Sequence, residues 1–182
     1  MDTDRDLLKR VRTLERQALT EVYDDFSPGL YRYALRLLGH PDLAEECVAE
    51  TFARFLRAVH RGGGPRQHLR AYLYRMAHNW VTDAFRRQPL LPLPKQPVGH
   101  DLASPGPDEA LHRQLECERV RAALSRLTPQ QRQVITLKFL EGWENREVAL
   151  ALRKPVGAVK SLQHRALRAL RRALTAEKEA ES

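Results

Sequence analysis

Between Gln88 and Pro107 the chain reads QPLLPLPKQPVGHDLASPGP, a run holding six of its eleven prolines. Each proline removes a backbone donor and fixes φ, so this density blocks helix and favours extended, polyproline-like backbone. The run is a linker. At ~3.1 Å per residue, about twenty such residues could reach ~60 Å, beyond the ~34–36 Å of one DNA turn. On both sides the composition switches to Leu, Ala, Arg and Glu, with apolar residues every three or four positions and no strand-like alternation. The expected fold is therefore all-α: two small helical domains joined by a Pro-rich linker, which the length of 182 residues accommodates. The expected boundaries are a charged N-terminal segment over 1–17, a helical domain over 18–87, the linker over 88–107, a second helical domain over 108–175 and a tail over 176–182.

Charge narrows the function. Lys and Arg total 31 against 23 Asp and Glu, a net charge of +8, which favours a polyanionic partner and nucleic acid first. There is no apolar run of the ~20 residues that span a bilayer and no signal-peptide pattern, so a soluble, cytoplasmic protein is expected. Cys47 and Cys117 are too few and too far apart for a disulfide framework or a zinc site, and read as small apolar fillers. Enzymatic signatures are missing. Gly62-Gly63-Gly64 is followed by Pro65-Arg66 and lacks the Lys-Ser/Thr of a phosphate-binding loop, and the sequence contains neither HExxH nor Gly-x-Ser-x-Gly. His112 and Glu116 share a helix face but read as surface. No catalytic residue, metal or cofactor is expected.

In the N-terminal half, Leu19, Val22, Tyr23, Phe26, Leu30, Ala34, Leu37 and Leu38 recur at helical spacing until Gly39-His40-Pro41 stops them. Asp42 can cap the next helix, whose apolar stripe is Val48, Phe52, Phe55 and Val59. Asp42, Glu45, Glu46 and Glu50 line another of its faces, fitting either a solvated surface or a docking face for a cationic protein. After a glycine loop, a helix from near Leu69 buries Leu69, Leu73, Ala77, Trp80 and Ala84, leaving Arg75, His78, Asn79, Thr82 and Arg86 opposite. Aromatic and basic residues interleave from Leu69 to Trp80, as where single-stranded bases are stacked, with His78 and Asn79 the better base contacts and Trp80 a core residue.

In the C-terminal half, Asp108 starts a helix carrying Leu111, Leu115, Val120, Leu124 and Leu127. Thr128-Pro129-Gln130-Gln131 starts another, with Val134, Ile135, Leu137 and Leu140 on its apolar side. Asn145 can cap a short helix with Val148, Ala149 and Leu152, and Arg153-Lys154-Pro155 turns into a final helix. Its buried stripe is Val159, Leu162 or Gln163, Ala166 and Leu170, with Lys160, Ser161, His164, Arg165 and Arg168 outward. A short helix, a tight turn and a basic helix make a helix-turn-helix, whose second helix enters the major groove. Lys160, Ser161, His164 and Arg165 could then reach base edges, while Asn145 and Arg146 hold phosphate. The bland alternative is a solvated basic face.

Taken together, these segments resemble the extracytoplasmic-function class of bacterial sigma factors, over nearly the whole chain apart from tails and linker. Leu30 to Gly39 and Asp42 to Phe52 are similar to that family's region two, whose second helix docks on the polymerase clamp. Ala71 to Asp83 resembles the segment that recognises the minus-ten element and captures a flipped base. Leu127 to Gly142, Glu147 to Ala149 and Pro155 to Ser161 resemble region four, the minus-thirty-five reader. The chain departs from the family pattern at Ala49 for a usual Gln, Arg153 for a frequent Gly, Ala158 for a usual Thr and Leu162 for a usual Arg.

The resemblance implies an alternative sigma factor that binds RNA polymerase core, directs it to promoters and helps open the DNA, without being an enzyme. The implied partners are the β′ clamp, reached through Asp42, Glu45, Glu46 and Glu50, and the β flap. Promoter DNA would be held at the minus-ten element by Arg66, His68, Arg75, His78 and Asn79, and at minus-thirty-five by the C-terminal residues named above. An anti-sigma factor is a common further partner in that family. The alternative function is a one-component helix-turn-helix regulator acting without core polymerase, which would leave the acidic and aromatic N-terminal features unexplained.

Overall fold

A computed structural model describes residues 2–87 and 122–180, with side chains over 6–87 and 122–175. The Pro-rich linker, the start of the helix expected from Asp108, Cys117 and the pair His112 and Glu116 lie outside the described residues. Every regular element among the described residues is helical: α1 (Asp2–Arg12), α2 (Arg16–Leu38), α3 (Pro41–His60), α4 (Leu69–Arg87), α5 (Pro129–Ile135) running into a π-helical turn (Thr136–Leu140), α6 (Asn145–Leu152) and α7 (Val156–Ala180). No described helix is long and apolar enough to cross a membrane.

The first residues, read from sequence only as charged, form α1, which buries Leu7, Leu8 and Val11. Arg10 holds the α1–α2 corner by bonding Glu15 at 2.8 Å and Glu21 at 3.2 Å. The expected apolar stripe of α2 buries Val22, Leu30, Ala34, Leu37 and Leu38, and the helix runs through Pro28 to a left-handed cap at Gly39 (φ 78°). In α3 the stripe Val48, Phe52, Phe55 and Val59 is buried. Asp42 is not its cap. Pro41 occupies the first turn, where its missing N–H costs nothing, so the cap falls to His40 and Asp42 stands one step inside. Leu69, Leu73, Ala77, Trp80 and Ala84 of α4 are all buried as expected, Trp80 among them.

The C-terminal half begins its described part with a helical turn over 122–125. Thr128 then caps α5 through a reciprocal pair, Gln131 N–H to Thr128 Oγ1 at 3.3 Å and Thr128 N–H to the Gln131 side-chain oxygen at 3.1 Å. The expected burial of Leu140 is wrong: it is 42% exposed. A π turn, closed by Glu141 N–H to Thr136 O at 2.9 Å, inserts one residue and rotates the following side chains by ~100°. Leu137 stays in the core and Leu140 leaves it. Asn145 is likewise the first helical residue of α6; the cap is Glu144, whose N–H donates to Glu147 at 2.7 Å.

The two halves share one apolar core, in which Trp143, Val148 and Leu152 join Leu73, Tyr74 and Ala77. This position of the C-terminal half, against α4, determines what each candidate surface exposes.

Candidate nucleic-acid interface

The acidic face of α3 follows from its helical period. With Ala44, Cys47, Val48 and Thr51 buried, Asp42, Glu45 and Glu46 point to solvent and Glu50 is half-buried beside them. Glu50 accepts from Arg54 at 2.7 Å and from Arg57 at 3.0 Å. The Arg54 hydrogen bond, ahead of the charge attraction, holds its carboxyl below the usual carboxylate range. Under this face, Cys47 is buried as expected, with burial pushing its thiol up to about 12. It is an inert filler.

On α4 and the loop before it, Arg66 and His68 are exposed, His68 in a left-handed conformation at φ 54°. Asn79 and Arg86 also face solvent. The sequence-based expectation that Arg75, His78 and Thr82 share this open face fails, because the C-terminal half covers them. Arg75 donates to the Leu150 carbonyl at 2.8 Å, and Gln133 of α5 donates to Thr82 Oγ1 at 3.3 Å. Burial, helped by the nearby Lys154 ammonium, lowers the His78 imidazole to about 4, so it stands neutral.

Beyond these residues the contact contains groups that helical spacing had not singled out. Trp143 is 1% exposed, with its ring 4.7 Å from that of Tyr74 and the Arg70 guanidinium 4.3 Å from its centroid. Arg36 pairs with Glu141, and Arg132, whose own cationic form is disfavoured by burial, reaches the Leu37 carbonyl at 3.4 Å. The available signal for Trp143 was a lone tryptophan directly after a turn glycine. Gly142 does adopt φ 71° there.

The basic face of α7 is as expected. Val159, Leu162 and Ala166 are buried, Leu162 rather than Gln163 completing the stripe, and Lys160, Ser161, His164, Arg165 and Arg168 are exposed. The turn that aims this face closes with Arg153 in the left-handed region (φ 51°), its N–H returning to Ala149 O. At the start of α6, Arg146 is exposed and Asn145 half-buried. A helix of this section fits the major groove, and the donors along it suit purine edges. Among the described residues no group of three or more His, Cys, Asp or Glu side chains could hold a metal ion.

Two family models match the chain, sigma-70 region 2 over residues 22–89 and sigma-70 region 4 over residues 117–170. It is 32% identical over 171 residues to the ECF RNA polymerase sigma factor BldN of Streptomyces coelicolor, covering 93% of this chain and 65% of that protein. With the ECF RNA polymerase sigma factor SigL of Mycobacterium tuberculosis it shares 31% over 161 residues, 86% of this chain and 89% of the other. The alignment thus spans just under two thirds of BldN and most of SigL. Among solved structures, CnrH in complex with the cytosolic domain of CnrY aligns over 98% of this chain and 99% of its own, with a TM-score of 0.69 and 25% identity. The sigma factor RpoE of Bartonella quintana, solved with the anti-sigma factor NepR, has the same fold at a TM-score of 0.66, with 20% identity over 86% of this chain and 96% of its own.

Proposed function

Because the chain belongs to the extracytoplasmic-function family of RNA polymerase sigma factors, the alternative subunits that bind core enzyme, direct it to particular promoters and help open the DNA, we propose that three of its surfaces divide this work. Asp42, Glu45, Glu46 and Glu50 on α3 dock on a basic surface of the β′ clamp. The exposure of Asp42, Glu45 and Glu46 and the single sign of charge of these three support this, with Glu50 half-buried beside them and paired to Arg54 and Arg57, since complementary fields steer such encounters. Arg66, His68 and Asn79, which stand exposed, hold the melted minus-ten strand by charge and hydrogen bonds to exposed bases, joined by Arg75 and His78, which the C-terminal half covers in the DNA-free chain. Lys160, Ser161, His164 and Arg165 read the minus-thirty-five duplex, with Asn145 and Arg146 on phosphate.

The observation that carries this division is the α7 face, where four donor side chains stand exposed in register directly after a tight helix–helix turn. The N-terminal unit is taken as residues 18–87 and the C-terminal unit as 108–175. The β flap would receive the C-terminal unit at its exposed Phe139 and Leu140. CnrH is bound by the cytosolic domain of CnrY, and a protein that holds this chain out of the polymerase, an anti-sigma factor, is proposed as a further partner. RNA synthesis remains the polymerase's chemistry, and this chain supplies specificity.

The test is transcription by purified core polymerase on linear promoter fragments, with and without the full chain, mapping RNA start sites. New discrete starts that vanish with Glu46→Lys and with Asn79→Ala are expected. Duplex binding without any core-dependent initiation would overturn the assignment in favour of a one-component regulator.

A further inference from the structure

Along α3 the exposed charges are sorted by sign. At ~3.6 residues per turn and ~1.5 Å per residue, His60 stands about five turns and ~27 Å beyond Asp42 on the same line of the helix. Between them this face carries Glu46, Ala49, Leu56 and Arg57, all exposed, with Ala53 half-buried among them, so it runs from acid through small and apolar residues to base. Arg61 adds a second exposed guanidinium at the far end. Of these charges only Arg57 has an ion-pair partner among the described residues, Glu50 at 3.0 Å. The helix dipole favours this polarity on any helix, but it does not account for the apolar part. Leu56 is 41% exposed, and so, at 40%, is Leu14, held left-handed at φ 58° in the α1–α2 corner. With Arg57, His60 and Arg61 these leucines line a groove of about 410 Å³ at the cationic end.

A face ordered in this way is self-complementary. A two-fold axis level with Thr51, midway between Asp42 and His60, would lay α3 antiparallel on α3 of a second copy. Ala49 and Ala53 flank that axis, where side chains this small let two helices approach closely. Glu46 and Arg57 stand ~40° and ~60° round the helix from the Asp42 line, on the same flank, so each Glu46 would meet Arg57 of the other copy. Each Asp42 would meet His60 and Arg61, and the exposed Pro41 would enter the groove between Leu14 and Leu56. Every contact occurs twice, as an isologous interface requires.

We propose that this face joins two copies of the chain through antiparallel α3 helices. One helix face and its flanking groove lie at the small end of specific interfaces, so the dimer dissociates in the micromolar range. The net charge of +8 opposes association. At ~0.15 M salt, however, the Debye length is ~8 Å, which screens the distant charges and leaves the contact pairs. The inference rests on the proposed function in one respect: Glu46 is also assigned to the β′ clamp, so the dimer and the polymerase complex exclude each other.

Sedimentation equilibrium of the full chain at ~0.15 M salt measures the dimer directly. The parent should pass from monomer to dimer across the micromolar range. Glu46→Arg and Arg57→Glu should each raise the dissociation constant by at least about tenfold, since each places two like-charged pairs across the axis. Mixed in equal amounts, the two variants should recover the parent's dimer as a heterodimer, because every pair across the axis is then of opposite sign. A folding defect in either variant could not produce that recovery. A parent still monomeric at ~0.5 mM would overturn the dimer, and a mixture no tighter than its components would overturn the antiparallel α3 register. Core polymerase titrated into the dimer should yield a complex holding one copy of the chain. Polymerase that carries both copies would overturn the exclusion and place the fault in the clamp assignment, with the dimer itself standing.

Discussion

The guanidinium of Arg75 donates to the carbonyl oxygen of Leu150 at 2.8 Å, joining α4 to α6 across 75 residues of sequence. Leu150 lies in the last turn of its helix, where carbonyls lack intrahelical partners and the helix dipole is negative, so a cation is favoured there. The bond is charge-assisted but partly exposed. Arg75→Met should therefore destabilise the DNA-free chain by about 1.5 kcal/mol, at the lower end of the range for hydrogen bonds to charged groups. Urea unfolding of the full chain measures this, and an unchanged midpoint would mean that the contact contributes nothing in solution.

Three residues along the same helix, His78 makes the contact sensitive to pH. Its folded-state value of about 4 lies below the ordinary 6.5, so separation or unfolding of the halves lets the imidazole take up a proton. The charge acting on it across the contact is Lys154; Arg75 on its own helix and Arg153 beside that arginine are also cationic, while Thr82 and Gln133 are neutral. Protonated His78 would be repelled by the Lys154 ammonium. The stabilisation from neutral His78 is thus fully present above pH 6.5 and is lost as pH falls toward 4. An NMR titration should show His78 titrating near 4 in the folded chain and close to its ordinary value in the urea-unfolded chain. Equal values in the two states would contradict the burial.

Arg153 caps α6 with φ 51° and ψ 45°, a conformation that disfavours side chains bearing a Cβ. Arg153→Gly removes a conformational cost of about 1–2 kcal/mol but adds unfolded-chain entropy worth about 0.4–1 kcal/mol. Relief wins, with a net gain of about 0.5–1 kcal/mol. Thermal unfolding should shift upward by about 2 °C, whereas Arg153→Ala, which retains the Cβ, should not gain stability. A fall in melting temperature for the glycine variant would show that the Arg153 side chain holds the turn through its own contacts.

Much of this structure was legible in the sequence because helical period reports which residues face a core. The stripes Val48, Phe52, Phe55, Val59 and Val159, Leu162, Ala166 are buried, and the Thr128 to Gln131 capping box forms. Period does not report whose core a face meets. The partners of Arg75, His78 and Thr82 lie beyond the linker, at Leu150, Lys154 and Gln133, so a face that looks open by spacing is covered in three dimensions. Caps slipped by two residues at α3 and by one at α6 for a local reason, since Asp42 and Asn145 are good capping residues while the backbone entering each helix selected His40 and Glu144. Leu140 left the core because a π turn has no signature in apolar spacing.

On α7, Arg165 and Arg168 are both exposed, and their roles can be separated by salt and sequence dependence. Arg165 shares the face of Lys160, Ser161 and His164, and its Nε donates to the Ser161 carbonyl at 3.3 Å, which keeps the side chain along the helix near its N-terminal, groove-entering half. A bidentate contact from such a position to a guanine edge discriminates by about 1–3 kcal/mol. Arg168 lies almost one turn further along, where, with α7 docked in the groove as proposed, the helix would leave it and backbone phosphates would come within reach. Holoenzyme binding to a promoter scanned base pair by base pair upstream, at several salt concentrations, distinguishes them. Arg165→Ala should weaken binding to the preferred promoter and flatten the preference at one base pair. Arg168→Ala should weaken binding to all variants alike and lower the salt slope by about one. Uniform loss from both substitutions would reduce the α7 face to a phosphate-binding surface and move promoter selection elsewhere in the chain.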